Sequence, residues 1–361
     1  MSVPIAKIAL LGSGTVGLAV LQRLADWQGT YLGEQLRLVY AANTRLGLSD
    51  PQGLDPLHCA RLLPDAPRQA GNQPRIDALA ALGGDGIRIL IDATADAETA
   101  RRHASCLSAG VHIATACKLA AGTSLDQWRA IDDACSQTRS GFGDRATVGA
   151  GLPLLRSIRE LRAGGDEIHE IAGIMSGSLA WLFHHFDGSE PFSALVRKAR
   201  DAGFTEPDPR EDLSGEDVRR KILILARAAG FAIEADRVAV GTLVPAGLAA
   251  LAPAEADGCF HLLDAPLSDR LADARRHGKV LRFVARLQNG EASVGLEALS
   301  LDDALAGGLG TDNRVAIWSD RYRNQPLIIQ GPGAGAEVTA AALLDDVLQL
   351  RAQAMGRALA A

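Results

Sequence analysis

The sequence lacks any paired-cysteine spacing. Its five cysteines, Cys59, Cys106, Cys117, Cys135 and Cys259, form no CxxC pair and are odd in number. That excludes a disulfide framework and a thiolate zinc cluster, and it predicts a reducing, cytoplasmic setting. A long hydrophobic run is also missing. The longest uncharged stretch, Val238 to Ala254, has 17 residues broken by two prolines and two glycines, too short and too irregular to span a bilayer. Positive charge is not in excess. With 37 basic against 43 acidic residues the net charge is −6, which argues against nucleic acid as the main partner. No internal repeat occurs, and no low-complexity segment beyond alanine-rich helices. No leader is expected ahead of the first strand, which starts within the first ten residues. What is present is 361 residues of ordinary globular balance, 47% hydrophobic and 22% charged, a length that predicts two or three domains.

Residues 5–11 (IAKIALL) read as a buried strand running into Gly12-Ser13-Gly14-Thr15-Val16-Gly17 and then a helical pattern through Val20, Leu21 and Leu24. Strand, glycine turn and helix in this order are what a dinucleotide fingerprint requires. Gly12 allows the tight turn, Gly14 admits a pyrophosphate, Gly17 lets the helix pack closely on its strand, and the helix start offers N–H groups to phosphates. The competing reading is a glycine turn in an α/β domain that binds nothing. A strand over Leu36 to Ala42 leads to Asn43-Thr44-Arg45, without the carboxylate that usually binds a ribose 2′-hydroxyl. The guanidinium of Arg45 favours a 2′-phosphate, hence NADP over NAD, or else is a solvated loop residue. Further parallel strands fit Ile87 to Thr94 and Val111 to Ala116, which puts Thr94 and Lys118 where a ligand would lie. A lysine after a strand is also commonly a surface residue.

A second region opens near Ala146 with the glycine-rich turn Thr147 to Pro153, then a helix over Leu154–Leu161. A strand is expected over Ile168 to Ile174, a turn at Met175 to Ser178, a helix over Leu179 to Phe186, and strands over Val280 to Arg286 and Ala292 to Ala298. The strand after Pro326 ends in a glycine turn at Gly335, ahead of a long helix from Val338 to about Leu359.

The densest stretch is Thr205 to Lys221, with six carboxylates and four cations in seventeen residues. Pro207 and Pro209 are expected to forbid an early helix. Ser214 with Asp217 has capping-box spacing, so a helix is expected to start near Gly215. On it Asp217, Lys221, Ile224 and Ala228 form one line, charged first and then apolar, as suits the floor of a polar pocket. An exposed i,i+4 pair, supporting the helix by about 0.3–0.5 kcal/mol, is the alternative.

GSGTVG at 12–17, ATACK at 114–118, ATVGAGLP at 146–153, GIMSGSLAWLF at 173–183, GFTEPDPREDLSGEDVRRKILILAR at 203–227 and QPLIIQGPGAGAEVTAA at 325–341 together resemble homoserine dehydrogenases over essentially the whole chain. The wording of 173–227 is closest to the dehydrogenase half of bifunctional aspartokinase–homoserine dehydrogenases, with neither a kinase segment nor a C-terminal regulatory domain expected here. The resemblance implies an α/β fold: a doubly wound, Rossmann-type nucleotide-binding domain over 1–145, completed by the helix 336–361, and an α+β substrate and dimerisation domain over 146–325. It implies NAD(P)-dependent interconversion of L-aspartate 4-semialdehyde and L-homoserine, on the route to threonine and methionine, by a cytoplasmic homodimer. Lys221 matches the proton donor, and Lys118 the lysine between nicotinamide and substrate. Glu206, Asp212 and Asp217 match acids that hold the substrate amino group and order the lysines, and Gly177 and Ser178 a substrate-contacting turn. The cofactor falls to Gly12, Gly14, Thr15, Val16, Gly17, Asn43, Arg45, Thr94, Lys118 and Gly335, and a monovalent cation to the carbonyls of Val148, Ala150 and Leu152.

Three departures stand out. Cys117 replaces the usual Asn before Lys118, Arg145 stands where relatives often have an acid, and Phe204 where Tyr is common. They keep other readings open. One is a nucleotide-binding paralogue without catalysis that serves as a sensor or assembly partner. Another is a semialdehyde dehydrogenase using Cys117 as nucleophile, although no His partner for it is evident. Arg145 also offers its own charge in place of the cation.

Overall fold

The computed structural model describes residues 4–67, 73–308 and 310–360. The chain divides into two units, 1–151 with 334–361, and 152–333.

The first unit is built on a sheet of order β3-β2-β1-β4-β5-β6, with β1 (Ala6–Leu11), β2 (Leu36–Ala42), β3 (Gly47–Ser49), β4 (Ile87–Asp92), β5 (His112–Thr115) and β6 (Phe142–Gly143). All neighbours are parallel except β3, a three-residue edge strand antiparallel to β2. Strand alternation divides β1 between two cores. Ala6, Ile8 and Leu10 join the cluster formed with the helix Thr15–Asp26 and the terminal helix Ala336–Ala360. Ala9 and Leu11 join the opposite cluster, with Leu107, Ile131 and Ala134. Helices on both faces of a largely parallel sheet make this a doubly wound domain. The sheet reverses direction of growth between β1 and β4, the switch point at which such folds bind ligands.

The second unit carries a sheet of order β12-β11-β7-β9-β10-β8, with β7 (Ile168–Ile174), β8 (Ala239–Val240), β9 (Lys279–Gln288), β10 (Glu291–Ser300), β11 (Asp312–Ser319) and β12 (Leu327–Pro332). Here the pairs are antiparallel, apart from β8 on β10. The β9–β10 hairpin turns at Asn289-Gly290, both at positive φ, a turn in which Asn-Gly is favoured.

The division between units differs from the expected 145/146 and 325. Residues 144–147 are tied into the first unit because Thr147 donates to the Asp144 carbonyl and the Arg145 backbone N–H donates to Asp346 on the terminal helix. At the other end β12 runs on to Pro332 before the chain crosses back.

Two local expectations are overturned in the stretch 205–221. Pro209 does not forbid a helix but begins one, Pro209–Leu213, capped by the Asp208 carboxylate on the Arg210 N–H. Proline suits the first helical position, where its missing N–H has no partner to lose. Nor does Ser214 form a capping box. It closes that short helix by donating to the Glu211 carbonyl, and Gly215, at φ +80°, turns the chain into the helix Glu216–Ala228. The Met175–Ser178 turn is likewise partly helical, since the helix there starts at Gly177.

Gly17 sets the geometry of the first turn. A Cβ there would lie 1.9 Å from the Gly12 carbonyl oxygen, so the missing side chain lets the helix pack on the turn rather than directly on the strand. Gly17→Ala is expected to lower unfolding free energy by about 2–3 kcal/mol through overpacking, read from urea denaturation curves.

Candidate active site

In the second unit the helix Glu216–Ala228 buries Lys221. Its Nζ lies 2.8 Å from Asp217 Oδ2 and 2.7 Å from the Met175 carbonyl oxygen. The lysine side chain is 10% exposed and its aspartate 45%, so this is an inward-facing ammonium with a half-exposed carboxylate, not a surface pair. Ile224 and Ala228, below it on the same line, are buried, as the alternation of charge and apolarity requires.

Asp212 lies beside this pair in sequence and is hydrogen-bonded across the unit. Its Oδ1 accepts from the Ser178 hydroxyl at 2.7 Å and its Oδ2 from the Glu206 backbone N–H at 2.8 Å. Burial pushes the Asp212 carboxyl above its ordinary range, against these two hydrogen bonds, and the nearby Asp217 charge pushes the same way. Ser178 is 2.9 Å from Ser176 Oγ, and Ser176 caps the helix Gly177–His185 by accepting from the Leu179 N–H. Gly177 and Ser178 are therefore the first two helical residues, whose N–H groups have no intrahelical acceptor and suit an anion. A Cβ at Gly177 would stand 3.1 Å from the Thr311 carbonyl oxygen, so glycine there answers to packing against the β11 approach. Phe204 is exposed and tilts against Trp181 at 5.6 Å between ring centroids.

In the first unit Gly12 adopts φ +100°, and a Cβ would meet the Ala93 carbonyl oxygen at 2.8 Å. A Cβ on Gly14 would enter open space, on the exposed start of the helix where Thr15 and Val16 present their N–H groups. That open cradle fits a dinucleotide pyrophosphate. Asn43 is engaged within the fold. Its Nδ2 donates to Ser13 Oγ and to the Leu63 carbonyl, and its Oδ1 accepts from the Arg45 and Leu46 N–H groups. It thus ties the fingerprint turn to the loop after β2. Arg45 Nη1 donates to the Pro64 carbonyl at 3.1 Å, which holds the guanidinium beside that loop. Thr94 hydrogen-bonds Asp92, Lys118 opens the short helix Lys118–Ala121, and Gly335, at φ +132°, precedes the terminal helix.

Cys117 is buried, and burial followed by the Asp92 charge pushes its thiol from 9.0 up to about 12. A thiol held protonated in this way is a poor nucleophile, which weighs against the Cys117 mechanism. Arg145 is engaged on the terminal helix. It pairs with Asp346 at 2.9 Å. Of the carbonyls expected to hold an ion, Val148 and Ala150 flank Gly149 in a turn where Gly149 and Ala150 both take positive φ, and Leu152 accepts from the Leu154 N–H. Among the described residues no helix is long and apolar enough to cross a membrane.

Sequence reasoning missed the Met175 carbonyl, since a backbone oxygen leaves no residue-type signal. It also missed Asp92, which closes the apolar run Ile87–Asp92 and was legible as a carboxylate at a strand end.

A family model described as homoserine dehydrogenase matches residues 153–348, and one described as homoserine dehydrogenase, NAD binding domain, matches residues 12–142. The chain belongs to the homoserine dehydrogenase family. It is 33% identical to homoserine dehydrogenase from Emericella nidulans, over 97% of this chain and 99% of that one. It is 40% identical to bifunctional aspartokinase/homoserine dehydrogenase 2 of Escherichia coli K12, over 95% of this chain, and spans 43% of that longer relative. A crystal structure of a Candida auris protein of unknown function superposes with a TM-score of 0.86 at 35% identity, covering 96% of this chain and 98% of that one. The resemblance in the motifs therefore extends to the whole of both units.

Two measurements follow. Because the Asp212 pKa is raised in the folded state, the stability tied to its proton is full below the ordinary carboxylate value of 3.8 and is lost as pH rises through the folded value. Melting temperature against pH is expected to fall less steeply over that window in Asp212→Asn than in the unsubstituted protein. Cys117→Ala is expected to keep kcat within about twofold, since a volume change of this kind alters packing rather than a reacting group.

Proposed function

We propose that this chain reduces L-aspartate 4-semialdehyde to L-homoserine, with NADPH preferred over NADH, and carries out the reverse oxidation. The observation that carries the reading is Lys221, an ammonium held inside the second unit by Asp217 and the Met175 carbonyl, beside a cluster of carboxylates. Such a cluster suits the cationic amino group of the substrate, and Asp212 and Glu206 take that task. The N–H groups of Gly177 and Ser178 suit the substrate carboxylate. When bound, the reduced nicotinamide supplies a hydride to the aldehyde carbon. The oxygen that gains the carbonyl electron pair takes a proton from Lys221 Nζ, and Asp217 keeps that amine protonated between turnovers. Lys118 adds a second positive charge for the developing alkoxide.

The cofactor preference rests on the loop after β2, which holds no carboxylate for a 2′-hydroxyl and keeps the Arg45 guanidinium beside it. A homodimer is what the resemblance of the motifs implies, and the exposed Ile328 on the edge strand β12 is available to a second copy. Light scattering on the purified protein tests the dimer. The unpaired cysteines agree with a reducing compartment such as the cytoplasm.

The retained amine and its carboxylate weigh against the non-catalytic sensor. Initial rates of semialdehyde reduction are expected to fall by roughly 10²–10⁴-fold in Lys221→Ala, mainly in kcat, with a comparable loss in Lys118→Ala. Full activity in both variants sinks the assignment, and binding of NADPH without turnover of either substrate favours the sensor. Arg45→Ala is expected to cut the NADPH-over-NADH ratio of kcat/KM by about tenfold through loss of a charge-assisted contact.

A further inference from the structure

Asp92 is a fully buried carboxylate at the end of β4 to which the chemistry above gives no task. Its Oδ1 accepts from both the backbone N–H and the hydroxyl of Thr94, at 2.9 and 2.6 Å. Its Oδ2 lies 2.9 Å from Nε2 of His103, which is also fully buried, and 3.4 Å from the Thr115 hydroxyl. The Asp92 backbone carbonyl accepts from the Ala116 N–H at 3.0 Å. The Thr115 hydroxyl in turn accepts from the Cys117 N–H at 2.9 Å, and Cys117 is the residue from which the Lys118 helix departs. One side chain therefore ties the two loops that leave β4 and β5 at their ligand-facing ends.

Burying a carboxylate is costly, and an apolar group of the same shape would often serve stability as well or better. The placement makes sense where direction matters more than net stability. His103 supports this. Its ring packs against Phe142, its Nδ1 has no hydrogen-bond partner among the described residues, and its one polar tie is to Asp92. The imidazole fixes the rotation of the carboxylate, and the carboxylate fixes Thr94 and the start of the Lys118 helix.

We infer that Asp92, oriented by His103, is a positioning residue for nicotinamide-dinucleotide binding, acting through Thr94 on one loop and through Thr115 and Cys117 on Lys118. The inference rests on the cofactor reading above. Asn at position 92 keeps an acceptor for Thr94 but turns an amide donor toward the donor of His103. In the full chain, Asp92→Asn is expected to raise the NADPH dissociation constant about tenfold, as the loss of one or two oriented hydrogen bonds would. The readout is nicotinamide fluorescence, and KM for the semialdehyde should move by less than about twofold, because Asp92 touches none of the residues assigned to the substrate amino group or carboxylate. A merely structural residue would lower melting temperature and leave cofactor affinity of the folded protein unchanged. The double variant Asp92→Asn/His103→Gln restores a donor–acceptor match, with the Asn amide donating to the Gln carbonyl. It is expected to return the dissociation constant to within about threefold of the unsubstituted value. His103→Met, which removes the donor at similar volume, covers the case in which Asp92→Asn does not fold, and it too should weaken NADPH binding. Folded Asp92→Asn or His103→Met protein with unchanged NADPH affinity overturns the inference. Failure of the unsubstituted protein to bind NADPH or NADH would defeat the cofactor reading instead.

Discussion

A buried ammonium constrains everything around it. Lys221 is largely withdrawn from water, so the fold must bring it hydrogen-bond acceptors. It brings one from its own helix, the Asp217 carboxylate a turn earlier, and one from across the unit, the carbonyl of Met175. The second acceptor is free to accept because β7 ends at Ile174 and the chain leaves the sheet before starting the next helix. Strand end, helix start and lysine helix are in this way bound to one another through a single charge. Ser178 and Asp212 extend the same logic outward, since the turn that frees Met175 also delivers the hydroxyl that holds Asp212.

The two units manage polar groups differently. In the first, the ligand-facing loops are stitched by side chains that spend their hydrogen bonds on the protein, Asn43 behind the fingerprint turn and Asp92 behind Thr94. The surface offered to a ligand is then mostly backbone, with glycines where a Cβ would intrude. In the second, charged and polar side chains themselves hold one another, Lys221 with Asp217 and Asp212 with Ser178. Backbone N–H groups of this kind suit phosphate oxygens, and paired side-chain charges suit small ionic groups.

Much of this was legible in the residues. Period and turn chemistry located β1, β2 and β7 almost to the residue, and the glycine spacing located the nucleotide fingerprint. The charge line on the 216–228 helix pointed to Lys221 because helical spacing alone puts Asp217, Lys221 and Ile224 on one side. Legibility failed where a residue serves two elements at once. Ser214 has the spacing of a capping box for the helix that follows it, yet its hydroxyl closes the helix that precedes it and accepts only from the Glu216 N–H of the next, because Gly215 takes the left-handed turn between them. Pro209 reads as a breaker and acts as a starter. β11, one place in from the edge of its sheet, went unread because its run DNRVAIWS begins with three polar residues and alternates poorly, so only pairing with β7 and β12 on either side reveals it as a strand. Cys117 and Arg145 were visible as departures, but whether they mattered depended on burial and on a partner 201 positions away in the chain.

The terminal helix has a consequence for biosynthesis. Ala340, Leu343, Leu344 and Val347 cover the same apolar surface as Ile8 and Leu10 of the first strand. On the ribosome, the strands translated first must therefore wait with part of one greasy flank, the part beside the helix Thr15–Asp26, uncovered while the whole intervening unit is made. The later-encoded unit holds all its own strands and can mature ahead of its elder neighbour. For that interval the nascent nucleotide-binding half is the vulnerable partner, and demand for holdase chaperones should concentrate there.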